Sequence, residues 1–365
     1  MPFGVADVAV MRQRAQKCLK SGKRACTPSW GGFIRAPSMP SPEPGANPIF
    51  ARAQRALEWR LDTLNRWVLA KGNRLPPGWF PHLRWPLRKP WQRANLRVVS
   101  RGGGIGDELI ALSVLAEIKK RNPTGRLTYL SRFPELFAGM ACFDTIEPYT
   151  PEAARTAITL LYEPKGRGTI AGQLAACVGL EMPPAAPPLP QVTPSPDLAA
   201  KIAARPKPRV IIQPLASRWA PVKNWPRPSW EKLIRSLTER ATVIEIGTEP
   251  AFPGTDFGPN FVSFAAGTSI SDFLWLVGQG DVFIGPVSGG MHVAAGHGLP
   301  LIIIYGGYEH PQGFAYPRTT AFYRAVSCAP CWLTTDCPVG LQCMQQIAPE
   351  EVFAAVLREL EATAR

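Results

Sequence analysis

Two stretches decide the fold: LRVVSRGGGIGDELIALSVLAEIKK, from Leu96 to Lys120, and DVFIGPVSGGMHVAAGHGLPLIIIYG, from Asp281 to Gly306. In each, a strand-like apolar run passes through a glycine-rich turn into a helix-length segment. Small residues at such a turn let backbone N–H groups and a helix N-terminus face an anionic ligand. Two of these turns, in separate α/β segments, predict a cleft between two nucleotide-type domains. The first turn also carries Asp107 at its helix start. A carboxylate there would repel a phosphate, so its chemistry suits the handling of a proton.

Working outward, the first α/β domain is expected over 95–181. Its strands are Leu96–Ser100, Leu127–Ser131 and Ile158–Tyr162, and its helices are Asp107–Arg121 and Ile170–Val178. A proline-rich linker over 182–208 is stiff and extended in its first half. The second domain, 209–348, reads as strand Val210–Gln213, helix Ser229–Arg240, strand Val243–Gly247, helix Ser271–Gly278, strand Val282–Gly285, helix Gly290–His297 and strand Leu301–Tyr305. A terminal helix falls in 349–365, from Pro349 to Ala362. Strands that alternate with helices predict parallel sheets.

The chain has 365 residues, enough for two cores, and a formal net charge of +14. The charge is unevenly placed. The first hundred residues hold 18 Lys and Arg against 4 Asp and Glu, whereas the rest holds 23 of each sign. The basic character belongs to an N-terminal extension. Segment 1–48 is rich in Arg, Lys, Pro, Gly and Ser without period and is expected to be disordered. Within 49–94, Phe50, Leu57, Leu61, Leu64 and Val68 form one stripe of a basic amphipathic helix. Trp79, Trp85 and Trp91 then alternate with Pro and Arg. Such an extension suits an anionic membrane surface or a nucleic acid, and the helix could equally pack on the body.

No apolar run reaches the length that a membrane-spanning helix needs, and no short apolar core marks a secretory signal at the N-terminus. The eight cysteines are therefore expected to be cytosolic thiols. Cys328, Cys331, Cys337 and Cys343 form C-x2-C-x5-C-x5-C within 16 residues. Four sulfurs match the number that a tetrahedral structural metal needs, and reduced thiols or two disulfides are the alternatives. Cys18, Cys26, Cys142 and Cys177 show no pattern and are expected to be free.

Five pieces, in order over residues 96–355, resemble the family 9 glycosyltransferases, the group of bacterial lipopolysaccharide heptosyltransferases. They are GDELIALSVLAEIKKRNP from Gly106, VKNWPRPSWEKLI from Val222, IEIGTEP ending at Pro250, GPVSGGMHVAAGHGLPLIIIYGG from Gly285, and the cysteine-containing tail from Cys328. The resemblance implies a GT-B fold: two Rossmann-like domains facing a central cleft, here with a basic N-terminal extension and a cysteine-rich C-terminal segment. It implies an inverting, metal-independent transfer of a sugar from an ADP-heptose-like nucleotide-diphosphate donor to a glycan or lipopolysaccharide-type acceptor. A lipid-linked acceptor would place the enzyme on the cytoplasmic face of the inner membrane. It would also make a membrane surface, rather than nucleic acid, the partner of the extension.

Asp107 matches the family's catalytic base; without the resemblance it is an ordinary helix-starting Asp. Lys223 matches the family's phosphate-binding lysine and would neutralise the departing diphosphate, with Arg218 assisting. Otherwise Lys223 is a turn lysine. Ser288, Gly289, Gly290 and His292 would also bind the donor diphosphate, the glycines by permitting close backbone approach. Glu249 follows a strand at its C-terminal end, where it could accept from the nucleoside or stand as a loop charge. Two positions depart from the pattern. Val287 stands where the family often has an Asp that meets donor-sugar hydroxyls, and Ser113 where it commonly has Pro. No cofactor is implied for catalysis; a structural Zn or Fe at the four cysteines is the metal expected. The rivals are a catalytically silent nucleotide-sugar or glycan-binding protein, and a membrane- or RNA-docked scaffold.

Overall fold

The computed structural model describes residues 90–363 except 138, 165, 167, 184, 217–219 and 335. The segment 1–48, the helix expected from Phe50 to Lys71 and the following tryptophan-rich stretch to residue 89 lie outside these residues, as does Arg218. The described residues fall in one contact unit that begins at Pro86.

The N-terminal sheet contains β1 (Asn95–Ser100), β2 (Arg126–Ser131), β3 (Thr145–Pro148) and β4 (Ile158–Leu160), all parallel, in the order β3-β2-β1-β4. The C-terminal sheet contains β5 (Arg209–Ile212), β6 (Thr242–Glu245), β7 (Phe261–Ser263), β8 (Val282–Gly285), β9 (Leu301–Gly306) and β10 (Thr319–Tyr323). It too is all parallel, in the order β10-β9-β8-β5-β6-β7. That is the Rossmann order. In both sheets the order reverses beside the first strand, between β1 and β4 and between β5 and β8. The carboxyl ends of such strand pairs form the crevice where doubly wound folds bind ligands.

The main helices are α1 (Ile105–Arg121), α2 (Ile170–Ala176), α3 (Pro196–Ala203), α4 (Arg227–Thr238), α5 (Ile270–Val277), α6 (Gly289–Gly296) and α7 (Pro349–Thr363). Helix α1 carries Asp107 and Glu108 in its first turn and Lys119, Lys120 and Arg121 in its last, complementing the helix dipole at both ends. Pro123 then prevents its continuation. Its Leu109, Leu112 and Leu115 are fully buried in one core with Leu96, Val98, Leu127 and Tyr129 of the sheet.

The period-two alternation of the C-terminal strands feeds two cores. Ile211, Ile244, Phe283 and Ile303 share a core with α5 and α6 that is continuous with that of the N-terminal domain. Val210, Ile212, Val243 and Ile284 point the other way, to Trp230 and Leu233 of α4 and Val352 and Val356 of α7. Burial on both faces explains why these strands read as unbroken apolar runs. Trp230 is among the largest fully buried side chains, and truncating such a residue costs about 3–5 kcal/mol.

Within the expected linker, Pro196–Ala203 forms the helix α3, begun by a proline in its first turn. Strands β3, β7 and β10 are additions to the sequence reading. Among the described residues no helix is long and apolar enough to cross a membrane.

Candidate active site

The two glycine-rich turns meet. A β-carbon built at Gly106 would stand 3.0 Å from Cδ2 of His292 and 3.7 Å from the backbone nitrogen of Gly289. One built at Gly289 would stand 3.6 Å from Cγ2 of Ile105. The N-terminal ends of α1 and α6 thus approach across the domain boundary through backbone that carries no side chain.

On the N-terminal side, Asp107 is the third residue of α1. Its Oδ2 accepts a hydrogen bond of 3.2 Å from the N–H of Gly104, the N-cap residue, and so ties the helix start to the glycine turn. There is no room for a side chain at Gly102, where a β-carbon would fall 2.0 Å from Cγ of Asp107. Arg132 ties the loop down by donating to the carbonyls of Ser100 (3.0 Å) and Gly102 (2.9 Å). Its guanidinium lies over Tyr149, 3.8 Å from the ring centroid. The neighbouring Glu108 is fully buried and structural: it accepts from the hydroxyls of Tyr129 (2.8 Å) and Ser131 (2.9 Å) and from the Arg132 N–H. Tyr162, just beyond β4, stands beside Asp107, where its hydroxyl favours the ionised carboxylate. Asp107 and Tyr162 therefore stand together at the strand-order reversal of the first sheet. Burial raises the Asp107 pKa above the usual carboxylate value. The Gly104 N–H, the nearby Lys223 charge, the Tyr162 hydroxyl and Arg132 each oppose that rise.

On the C-terminal side, Gln213 follows β5 at the reversal of the second sheet. Its Oε1 accepts from Ser288 Oγ (2.7 Å) and the Gly290 N–H (3.1 Å), and so caps α6. A β-carbon at Gly290 would fall 2.4 Å from that oxygen. Gly290 is glycine here because Gln213 and Phe283 fill the space. His292 is buried, with Nδ1 2.8 Å from the Tyr316 hydroxyl. Burial, and then the Lys223 charge, push its pKa down to about 3. The imidazole is therefore neutral near pH 7 and contributes no positive charge.

Lys223 ends a single 3-10 turn, Pro221–Lys223. The turn is positioned by Asn224, whose Oδ1 accepts from the Ala216 N–H (2.8 Å), and by Trp225, whose Nε1 donates to the Ile347 carbonyl (3.3 Å). Lys223 is buried rather than exposed, and its ammonium lies 2.5 Å from Oε1 of Glu309. The same ammonium lies 5.0 Å from the centroid of the Tyr308 ring. Burial raises the pKa of Glu309, and Lys223 opposes that rise.

Glu249 is half-buried in the loop after β6, one strand away from the reversal. That loop folds back on buried Glu245, whose Oε1 accepts from the Ala251 N–H (2.7 Å). Val287, beside Ser288, is buried in the core.

Cys328, Cys331, Cys337 and Cys343 line one small cavity together with Val222, Tyr308 and Leu341. None of the described cysteines forms a disulfide. Among the described residues no three His, Cys, Asp or Glu side chains stand close enough to hold a metal ion as they are. Cys142 and Cys177 are free and half-buried, and burial pushes Cys142 up to about 11. Trp332, next to Cys331, has a left-handed backbone (φ 54°). Its ring lies 5.3 Å from that of Tyr308 and 6.4 Å from that of Tyr162, centroid to centroid. The cysteine-rich segment thus contacts both domains beside Asp107.

Sequence reasoning missed Tyr162, Gln213, Glu309, Arg132 and Trp332. Tyr162 and Gln213 each end a strand that the sequence reveals, but which strands are neighbours at the reversals is not written locally. Glu309 is a loop carboxylate with no motif around it.

The model of glycosyltransferase family 9 (heptosyltransferase) matches residues 169–336. That segment contains Lys223, Ser288, Gly289, Gly290 and His292 and begins after Asp107. No curated protein sequence matches the chain. Several solved structures share the fold. A family 9 glycosyltransferase from Veillonella parvula is 12% identical with a TM-score of 0.58, covering 74% of this chain and 99% of that one. ADP-heptose lps heptosyltransferase II of E. coli is 15% identical with a TM-score of 0.54, covering 74% and 100%. The dodecameric, iron-containing heptosyltransferase TibC of enterotoxigenic E. coli, in complex with ADP-D-β-D-heptose, is 15% identical with a TM-score of 0.54, covering 74% and 78%. The two parallel sheets are those of a GT-B fold, as the motifs implied.

Proposed function

We propose that this chain, a GT-B glycosyltransferase whose residues 169–336 are a family 9 segment, moves an ADP-heptose-like sugar from its nucleotide-diphosphate donor to a hydroxyl of a glycan or lipopolysaccharide-type acceptor. The observation that carries the reading is Asp107, a carboxylate anchored where two helix N-termini converge, with Lys223 close enough to act on it electrostatically.

The reaction is a single displacement with inversion. Asp107 accepts the proton of the acceptor hydroxyl as its oxygen attacks the anomeric carbon, and the bond to the nucleoside diphosphate breaks. A base so placed contributes about 10²–10⁴-fold. Lys223 stabilises the charge that develops on the leaving diphosphate, assisted by Arg218 and by the α6 N-terminus at Ser288 and Gly289. Gly290 supports the turn through Gln213. His292 packs the seam as a neutral ring, and Glu249 meets the nucleoside. The ADP-heptose complex of TibC supports an adenine nucleotide. Val287 leaves the donor sugar without the carboxylate that the family often places there.

The four cysteines fit a structural iron or zinc by donor type, since thiolates are soft ligands, and TibC is iron-containing. Such a metal would cross-link the segment that carries Trp332. Elemental analysis of protein purified without added metal should find close to one iron or zinc per chain; metal-free protein with four titratable thiols would remove the idea. The basic extension, 1–94, would dock the enzyme on anionic lipid at the cytoplasmic face of the inner membrane, each engaged basic residue contributing on the order of 1 kcal/mol.

Release of ADP from ADP-heptose, dependent on a lipopolysaccharide-core acceptor and lost in Asp107→Asn, tests the reaction. Nucleotide-sugar binding without any turnover would instead indicate a catalytically silent binding protein.

A further inference from the structure

Glu309 and Lys223 form an ion pair in which both side chains are nearly buried, at 5% and 10% exposure. The pair is not remote from the chemistry. Asp107 acts electrostatically on both members, Tyr308 underlies the ammonium, and His292 feels the lysine charge. A lysine meant for a diphosphate thus already holds an anion.

We infer that Glu309 is the internal stand-in for the donor's diphosphate: it holds Lys223 until a nucleotide takes the ammonium, and the released carboxylate then takes up a proton. This rests on the proposed role of Lys223 in binding the diphosphate. Removing one member of a buried pair leaves an uncompensated charge, which is strongly unfavourable. Protonation resolves it, because buried carboxyl groups without a partner titrate far above their ordinary range. The groups facing Glu309 make the same demand. Besides Lys223 they are Asp107 from α1, Tyr162 beyond β4, Tyr305 from β9 and Tyr308. None of these except Lys223 supplies a positive charge. The proton comes from solvent and ends on the carboxylate, so each nucleotide bound brings one proton into the site. Release of the nucleotide returns Lys223 to Glu309 and the proton to water.

The test is calorimetric titration of the full-length protein with ADP, in buffers of different ionisation enthalpy, which counts protons taken up. Phosphate groups titrate near pH 6, so at about pH 8 ADP has no proton of its own to give up. Wild type should take up close to one proton per ADP, and its Kd should weaken up to about 10-fold per pH unit above neutrality, as one linked proton requires. Glu309→Gln should bind ADP at least several-fold more tightly, with no linked proton and a flat pH dependence. Saturable ADP binding to wild type without proton uptake overturns the inference while leaving the diphosphate role of Lys223 intact. Weaker ADP binding by a folded Glu309→Gln overturns it too, since Glu309 would then be a brace and not a competitor. If Glu309→Gln fails to fold, the wild-type proton count decides alone. Wild type that does not bind ADP at all removes both the inference and the reading beneath it.

Discussion

Gly106 and His292, one from each domain, leave no space between them for a side chain: a single β-carbon at Gly106 would come within 3.0 Å of the imidazole Cδ2. The imidazole cannot easily retreat, because it is buried and bonded to Tyr316. Gly106→Val should therefore displace the start of α1 from α6. Misplacing a reacting group by about 1 Å can cost about 10²-fold in rate. Steady-state kinetics should show that loss in kcat with the circular dichroism spectrum unchanged; a wild-type rate would mean that the seam does not set the geometry.

Asp107→Asn should lower kcat by at least about 10²-fold, the contribution expected of a positioned base. ADP affinity should stay within a few-fold. A base works only when deprotonated, and burial raises Asp107 above its ordinary value. The kcat/KM of wild type should accordingly fall as pH drops, with its acid limb above the usual carboxylate range. A profile flat down to that range would contradict the assignment.

Tyr162→Phe removes a hydroxyl that favours the ionised form of Asp107. The acid limb should move to higher pH, with a loss of activity at neutral pH smaller than that of Asp107→Asn. An unmoved limb in a folded variant would show that the tyrosine only packs.

His292 offers a test by stability. Its pKa in the folded protein is about 3, below its value in the unfolded chain, because burial disfavours the cation. The unfolded state binds more protons between the two values, so stability is lost as pH falls below about 6.5. Between pH 7 and 5 this amounts to up to about 2 kcal/mol. Thermal melts of wild type and His292→Leu should diverge in their acid dependence, the variant losing less. Parallel curves would mean that the imidazole titrates freely in the folded protein.

Most of the fold is legible in the sequence because strands buried on both faces must be apolar. Val210–Gln213 and Val282–Gly285 can hardly be read otherwise. The strands that escape notice are those for which burial asks little: β7 is only Phe261–Ser263, and β3, Thr145–Pro148, is only half-buried. The site divides in the same way. Asp107 and the Ser288–Gly290 turn belong to local motifs, so spacing exposes them. Glu309 pairs with a lysine 86 residues away, and Gln213 caps a turn 75 residues on. Nothing near either residue announces its partner. Lys223 could be read as a phosphate ligand, but not as a buried one already matched by a carboxylate.

Trp332 carries a consequence for motion. Its ring lies against Tyr308 in one domain and Tyr162 in the other, held by a backbone in the left-handed region. A motion that drew the two domains apart would part Trp332 from Tyr162, whose hydroxyl, together with the Gly104 N–H, favours the ionised Asp107. In the proposed reaction such an opening would loosen Asp107, and closing would tighten it again. The cysteine-rich segment would then serve that reaction as a latch, and its firmness would set how often the Asp107 carboxylate is ready when an acceptor arrives.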